Sequence, residues 1–403
     1  MQTTKNQHYV PRFYMKPFSI IKNEGKKKEK ALISFYQFEG DLYKDNIPTT
    51  SVCSKKFFYD KDGRIENRLA EKENKWRSTI FKINRGEVLT KCDTENIREF
   101  TAFQISRTKA MLAHTRDMAA AMLTHMQNGD LSETVIKEKV ETKITSEFNL
   151  NFVKDILFTI DDLKMVILEN KTDVDFFTSD APVIIINPLG GFHGIGLGEI
   201  GAVIFFPVSP RKVVMFYDSK LYGKITEEIQ DSEYISIFNK YQYISADERI
   251  LSSDSIKFKE FVQDEKLNNF RKKFHVSVKP TAIDDGSGIF IAAKSRGISY
   301  YFDIPIFKLP KSLKKIPRDF RDTFPRKYNF KSRKELLCRI YSERDFKGEE
   351  KTKNYWKQVQ RYAKISLQYF DYYWKTPKQD RIISGELMRQ LKEGRVNFFP
   401  QKN

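Results

Sequence analysis

Cysteine is scarce: Cys53, Cys92 and Cys338 are the only three in 403 residues. They are far apart, odd in number and without a CxxC pair, which excludes a disulfide framework or a cysteine-built zinc site and fits a reducing compartment. Histidine is nearly as rare. The five, His8, His114, His125, His193 and His275, form no HxH or HxxxH pair, so a histidine-rich metal centre is not expected. No apolar run approaches the roughly 18 residues of a membrane span, and the N-terminus has no signal-peptide core, so the expectation is a cytoplasmic, soluble chain. Nucleotide-binding GxxxxGK[ST], the GxSxG nucleophile elbow and kinase signatures are all missing, which argues against their chemistries. No fixed-period repeat occurs.

What is plentiful is aromatic and basic. The chain has 33 Phe, 19 Tyr and a formal charge of +18, and most of that charge is at one end. Residues 305–403 hold 26 Lys and Arg against 11 Asp and Glu. At this length one large domain with an appendage, or two domains, is expected. The composition shift puts the boundary between a 1–304 core and a 305–403 helical basic appendage. In the appendage Lys314, Lys315, Arg318, Arg321, Lys357, Arg361 and Lys364 are interleaved with Phe320, Phe324, Tyr355, Trp356 and Tyr362. Cations that follow a phosphate backbone and rings that stack on bases suit nucleic acid. The same pattern also suits an appendage docked by its aromatics, and an anionic membrane surface ranks third.

The core reads as α+β, with a helical layer from its N-terminal half packed on a mixed, mainly antiparallel sheet. A hairpin is expected around Glu39-Gly40-Asp41, and helices over about 64–83, 93–127 and 130–148, the last opened by an Asp130-x-x-Glu133 capping box. Strands follow. Leu163–Leu168 and Asp175–Phe177 read as a hairpin, Val183–Ile186, Val203–Phe206 and Val213–Tyr217 as further strands, and Ile289–Ala293 with Ser299–Phe302 as a last hairpin. Helices are expected over 231–248 and 255–273. The glycine-rich 190–201 stretch leads into a strand rather than a helix, so it reads as a mobile loop beside Asp180, not a phosphate cradle.

Four pieces carry candidate chemistry. Gln7 to Ser19 sets His8, Arg12 and two tyrosines among bulky apolar residues and prolines, as one wall of a polar site would. In the 64–83 helix, Glu66 and Glu73 share a stripe with Leu69, Trp76 and Ile80; alternatively Ile65, Leu69, Trp76 and Ile83 face inward and the acids sit at the rim. The next helix interrupts its apolar stripe with Gln104 and Arg107, and an inward arginine matches an inward glutamate. Asp180 stands in a Thr-Ser-Asp turn at a strand end, either for function or to close an Asx turn before Pro182.

The His8-Tyr9-Val10-Pro11-Arg12-Phe13-Tyr14-Met15 opening, Glu66 and Glu73, Phe103-Gln104-x-x-Arg107, Thr178-Ser179-Asp180-x-Pro182 and Phe206-Pro207-x-Ser209-Pro210 occur in this order and together resemble domain-of-unknown-function family 4238. Met15 stands where leucine is usual. The resemblance covers about residues 5–300 and implies a mostly bacterial intracellular protein from a setting of defence or toxin genes. It supplies no activity, but it supports treating His8, Arg12, Glu66, Glu73, Gln104, Arg107 and Asp180 as one constellation. Two functions are then expected to compete. One is a nuclease-like phosphoryl-transfer enzyme acting on RNA or DNA: His8 does acid/base work, Arg12 and Arg107 stabilise phosphorane charge, and Glu66, Glu73 and Asp180 hold a divalent metal or orient the cations. The other is a nucleic-acid-binding or effector-sensing module in which the Arg/Glu network is structural.

Overall fold

The computed structural model describes residues 5–309, except 27, 127–130, 190–195, 276–280, 285–288, 293–296 and 299–300. The candidate nucleic-acid residues Lys314, Lys315, Arg318, Arg321, Lys357, Arg361 and Lys364 therefore lie outside the described residues, as do Asp130 and the first half of the glycine-rich loop.

The α+β expectation holds, with most of the described strands in two five-stranded sheets and the rest in two two-stranded pairs. In the first, the order is Glu228–Ile229, Lys164–Asn170, Lys212–Tyr217, Val203–Ser209 and Ile184–Ile186, antiparallel apart from the first pair. The second runs Ile20–Lys22, Lys30–Gln37, Arg249–Ser252 and Thr178–Ser179, with Leu42–Pro48 also on Lys30–Gln37 as the expected hairpin. Period-two alternation buries both faces of the first sheet. Ile204, Phe206, Val208, Val214 and Phe216 join Trp76, Phe100 and Phe103 from the N-terminal helices. Val203, Phe205, Val213, Met215 and Tyr217 face the other way, against Phe238 and Tyr241 of the Ser232–Ser245 helix.

Several boundaries differ from expectation, each for a local reason. The 93–127 helix is two, Lys91–Ser106 and Lys109–Met126. Arg107 leaves helical geometry at φ −96°, ψ 3°, and Thr108 Oγ1 accepts the Met111 N–H at 3.2 Å, starting a new helix with an N-cap of its own. The 130–148 helix is Glu133–Lys143 and Ser146–Leu150, because Ser132 and Thr145 each cap a separate start. In the same way Asp264 accepts the Leu267 N–H and divides 255–273 into short turns and a Glu265–His275 helix. Asp175–Phe177 does not pair with Lys164–Asn170. The Asn170 side chain, bonded to Thr172, Val174 and Pro210, turns the chain away, and Lys212–Tyr217 takes the place beside that strand. Ile289–Ala292 pairs with Thr281–Asp284, while the partner expected for it, 299–302, lies partly outside the described residues.

One tyrosine stitches the opening motif to both sheets. Tyr14 is fully buried; its hydroxyl donates to Pro207 O at 2.6 Å and lies 2.8 Å from Thr178 Oγ1. Tyr14→Phe would leave Pro207 O without its donor and the Thr178 hydroxyl without its acceptor, both buried, and a loss of about 2 kcal/mol is expected in urea unfolding.

Candidate active site

The site begins where Asn6–His8 pairs antiparallel with Ser54–Lys56. Gln7 turns inward and fixes that strand against the loop before the Arg64–Arg85 helix. Its Nε2 donates to Asp60 O at 2.8 Å, and its Oε1 accepts the Tyr59 N–H at 2.7 Å. The loop in turn starts the helix: Asp60 Oδ2 accepts Ile65 N–H, and Asp62 Oδ1 accepts Arg64 N–H. The buried stripe of that helix is Ile65, Leu69, Trp76, Thr79, Ile80 and Ile83. Glu66 and Glu73 are therefore half-buried at its rim, the second of the two arrangements the sequence allows.

Arg107 is the hub. Its side chain has 0% exposure, and Nη1 donates to Glu73 Oε1 at 2.8 Å. Nε donates to Gln104 Oε1 at 2.9 Å, while Gln104 Nε2 donates to Tyr9 O at 3.0 Å. Tyr9 of the opening motif, Gln104 and Arg107 are thus tied, with Glu73, into one relay. The guanidinium lies over the Trp76 ring at 5.9 Å. Nη2 is buried without a hydrogen bond, and the polar group beside the guanidinium is the Tyr59 hydroxyl, which donates to His8 O at 3.1 Å.

The titratable groups around this hub are tuned in opposite directions. Burial, then the Glu73 carboxylate, push Glu66 up to about 7, against the pull of Arg107. Among the described residues Glu66 has no hydrogen bond or ion pair. Burial lowers the His8 pKa below 6.5, with Arg12 and Arg107 adding to the effect, so the ring is neutral at pH 7. Its Nε2 lies 3.2 Å from Thr49 O. A carbonyl partner requires Nε2 to carry the proton, which leaves Nδ1 as a proton acceptor.

The seven candidate residues do not all converge. His8, Glu66, Glu73, Gln104 and Arg107 gather around the guanidinium. Arg12 is exposed, in electrostatic reach of His8. Asp180 is committed to other partners: it is buried, within electrostatic reach of Tyr9, and its two oxygens accept N–H from Asp247 at 2.8 Å, Glu248 at 2.7 Å and Arg249 at 3.2 Å. The neighbouring motif residues have similar tasks. Asn239, Gln242 and Ser245, on one helix face, bond Phe177 N, Ser179 Oγ and Ala181 O. Tyr59 and Gln7 are the participants that motif reading passes over; a tyrosine one residue before an Asp-x-Asp-Gly helix start was the available signal. Among the described residues no three His, Cys, Asp or Glu side chains form a group able to hold a metal ion.

Fold and site together define an α+β protein whose N-terminal strand and first long helices close around a buried arginine–glutamate–glutamine centre. The chain belongs to the family described as protein of unknown function (DUF4238), whose model matches residues 6–255. No curated protein and no solved structure matches it. Among the described residues no helix is long and apolar enough to cross a membrane.

Proposed function

We propose that the Arg107 centre is the acid–base site of a nuclease-like phosphodiester hydrolase acting on RNA or DNA, in an antiviral defence or toxin setting in the bacterial cytoplasm. The observation that carries this reading is the pairing of a half-buried glutamic acid whose pKa is pushed up to about 7 with a neutral histidine in the field of the same guanidinium. Perturbed pKa values of this kind mark functional sites. In the proposed reaction His8 Nδ1 takes the proton from an attacking water as its oxygen bonds to phosphorus. Glu66 gives its proton to the leaving oxygen as that P–O bond breaks. Arg12, exposed beside His8, is the cation placed to meet the phosphate. Arg107 is sealed from solvent and acts as a positioning residue that holds Glu73. A divalent metal on Glu66 and Glu73 is the alternative use of the same carboxylates, because a metal-bound Glu66 could not also hold the proton it donates, and EDTA treatment of the wild type distinguishes the two.

The pH profile follows from these two groups. Activity should fall on the alkaline side near pH 7, as Glu66 loses its proton, and on the acid side below 6.5, as His8 gains one. Cleavage of a labelled single-stranded RNA or DNA across pH 5–9 measures it. Glu66→Gln should lower kcat at least about a hundredfold and abolish the alkaline limb. Unaltered cleavage by both Glu66→Gln and His8→Ala would end the hydrolase reading. Stability gives a second readout. Because the native pKa of Glu66 lies above its ordinary 4.5, its contribution is complete below the unfolded value and is lost as pH rises through about 7. Glu66→Gln should therefore flatten the fall in melting temperature between about pH 4.5 and 7.

The complete burial of Arg107 and the Gln104 bond to Tyr9 O favour a second reading, a non-enzymatic nucleic-acid-binding or effector-sensing module with a structural network. It expects Glu73→Ala to lower the melting temperature while wild type and variant alike leave every polynucleotide uncut.

A further inference from the structure

The face of the Arg64–Arg85 helix that carries Glu66 and Glu73 continues toward its C-terminus. Arg77 and Ile80 follow Glu66 at i+11 and i+14, so they lie on the same side of the helix. There they border a groove of about 610 Å³, with Phe81 beside them and Arg12 and Phe13 also lining it. Its volume is that of a small-molecule site. Two features set it apart from ordinary surface. Phe81 is 58% exposed, with the Arg85 guanidinium 5.3 Å from its ring centroid and the rest of the ring open to the groove. Arg12 and Arg77 have no carboxylate within ion-pair distance among the described residues, whereas the third lining cation, Lys16, is paired with Glu29 at 2.7 Å.

We propose that this groove seats one nucleotide of a single-stranded nucleic acid, its phosphate held by Arg12 and Arg77 and its base stacked on Phe13 and Phe81. The inference rests on the nucleic-acid reading above and supplies its substrate subsite. Two unpaired cations beside two rings are the combination that single-strand surfaces use. Glu24 and Glu29 line the same groove, and their carboxylates can accept from the exocyclic amino group of a base. The place also fits the chemistry. Thr49 lines the groove and its carbonyl holds His8, so a phosphate on Arg12 would arrive beside the proposed base.

The test uses the full chain and a single-stranded hexanucleotide with 2-aminopurine at its centre. Stacking should quench the fluorophore on binding. Phe81→Ala should remove the quench and weaken binding about tenfold. Arg77→Ala should reduce the slope of log K against log salt by about 0.7, the share of one single-strand phosphate. Both side chains are exposed, and unchanged melting curves would confirm that the variants fold. Wild-type affinity, quench and salt slope in both variants would overturn the groove assignment, while cleavage dependent on Glu66 would leave the hydrolase reading standing. Binding that depends on Phe81 and Arg77, with no cleavage by the wild type, would support the groove and remove the hydrolase. Displacement of the oligonucleotide by polyglutamate at equal charge concentration would reduce the groove to a charge site and overturn base recognition. No binding at all would remove both.

Discussion

Arg107→Ala is expected to cost about 3 kcal/mol in urea unfolding, because it removes a fully buried cation while leaving its partners in place. Gln104 Oε1 and Glu73 Oε1 each lose a donor, the Trp76 ring loses the guanidinium above it, and the void has no side chain free to fill it. Glu73→Gln should cost much less, about 1 kcal/mol, since Glu73 is 28% exposed and water can replace part of what is lost. Arg107→Lys should recover little: one ammonium cannot reach Gln104 and Glu73 in the two directions a planar guanidinium spans. Equal effects at positions 73 and 107 would show that the pair is held by its surroundings and that Arg107 is not the hub.

Asp180→Ala should be at least as damaging, about 4 kcal/mol, because three backbone N–H groups converge on one carboxylate and would be orphaned together. Asp180→Asn tests the cause. An amide has a single acceptor oxygen, and its NH₂ would face N–H groups that need an acceptor, so the near-isosteric change should be almost as costly. A carboxylate kept for substrate contact would behave differently, leaving the melting temperature unchanged and lowering only activity. The comparison therefore separates a turn-holding role from a chemical one. Arg271 belongs to the same knot, donating from its guanidinium to Tyr243 O, Ile244 O, Ala246 O and Asp247 O at the end of the Ser232–Ser245 helix.

Much of this architecture was legible in the sequence where the signal is local. The Arg64–Arg85 helix has a glycine at each end, Gly63 and Gly86, both at positive φ, and a strong apolar stripe between them, so the expected 64–83 span is close. Gln104 and Arg107 stood out because they interrupt an apolar face, and Glu73 because an inward arginine needs an anion; the Arg107–Glu73 pair meets that requirement. Strand partners were less legible. Asn170 and its bonds redirect the chain by tertiary contacts that no hairpin spacing encodes, and the partner of Lys164–Asn170 lies some 40 residues on. Helix breaks at Thr108, Ser132, Thr145 and Asp264 were missed for one reason: a polar residue inside a periodic pattern reads as tolerated interior, yet each acts as a cap. Asp180 shows the limit on the functional side. A Thr-Ser-Asp turn looks alike whether the carboxylate meets a substrate or three amides, and only the distant 247–249 backbone distinguishes them.

The Tyr14 hydroxyl bonds to groups 164 and 193 positions later in the chain, and this has a consequence for biosynthesis. On the ribosome the opening motif emerges first, but the Tyr14 hydroxyl has no partner until Thr178 and Pro207 follow, so this junction between the motif and the two sheets forms only when about two thirds of the described residues have been made. Closing such a long loop carries a chain-entropy cost and slows folding. The nascent protein would thus carry Tyr14 without its native partners through much of its synthesis, and the two sheets would be joined through the opening motif only late.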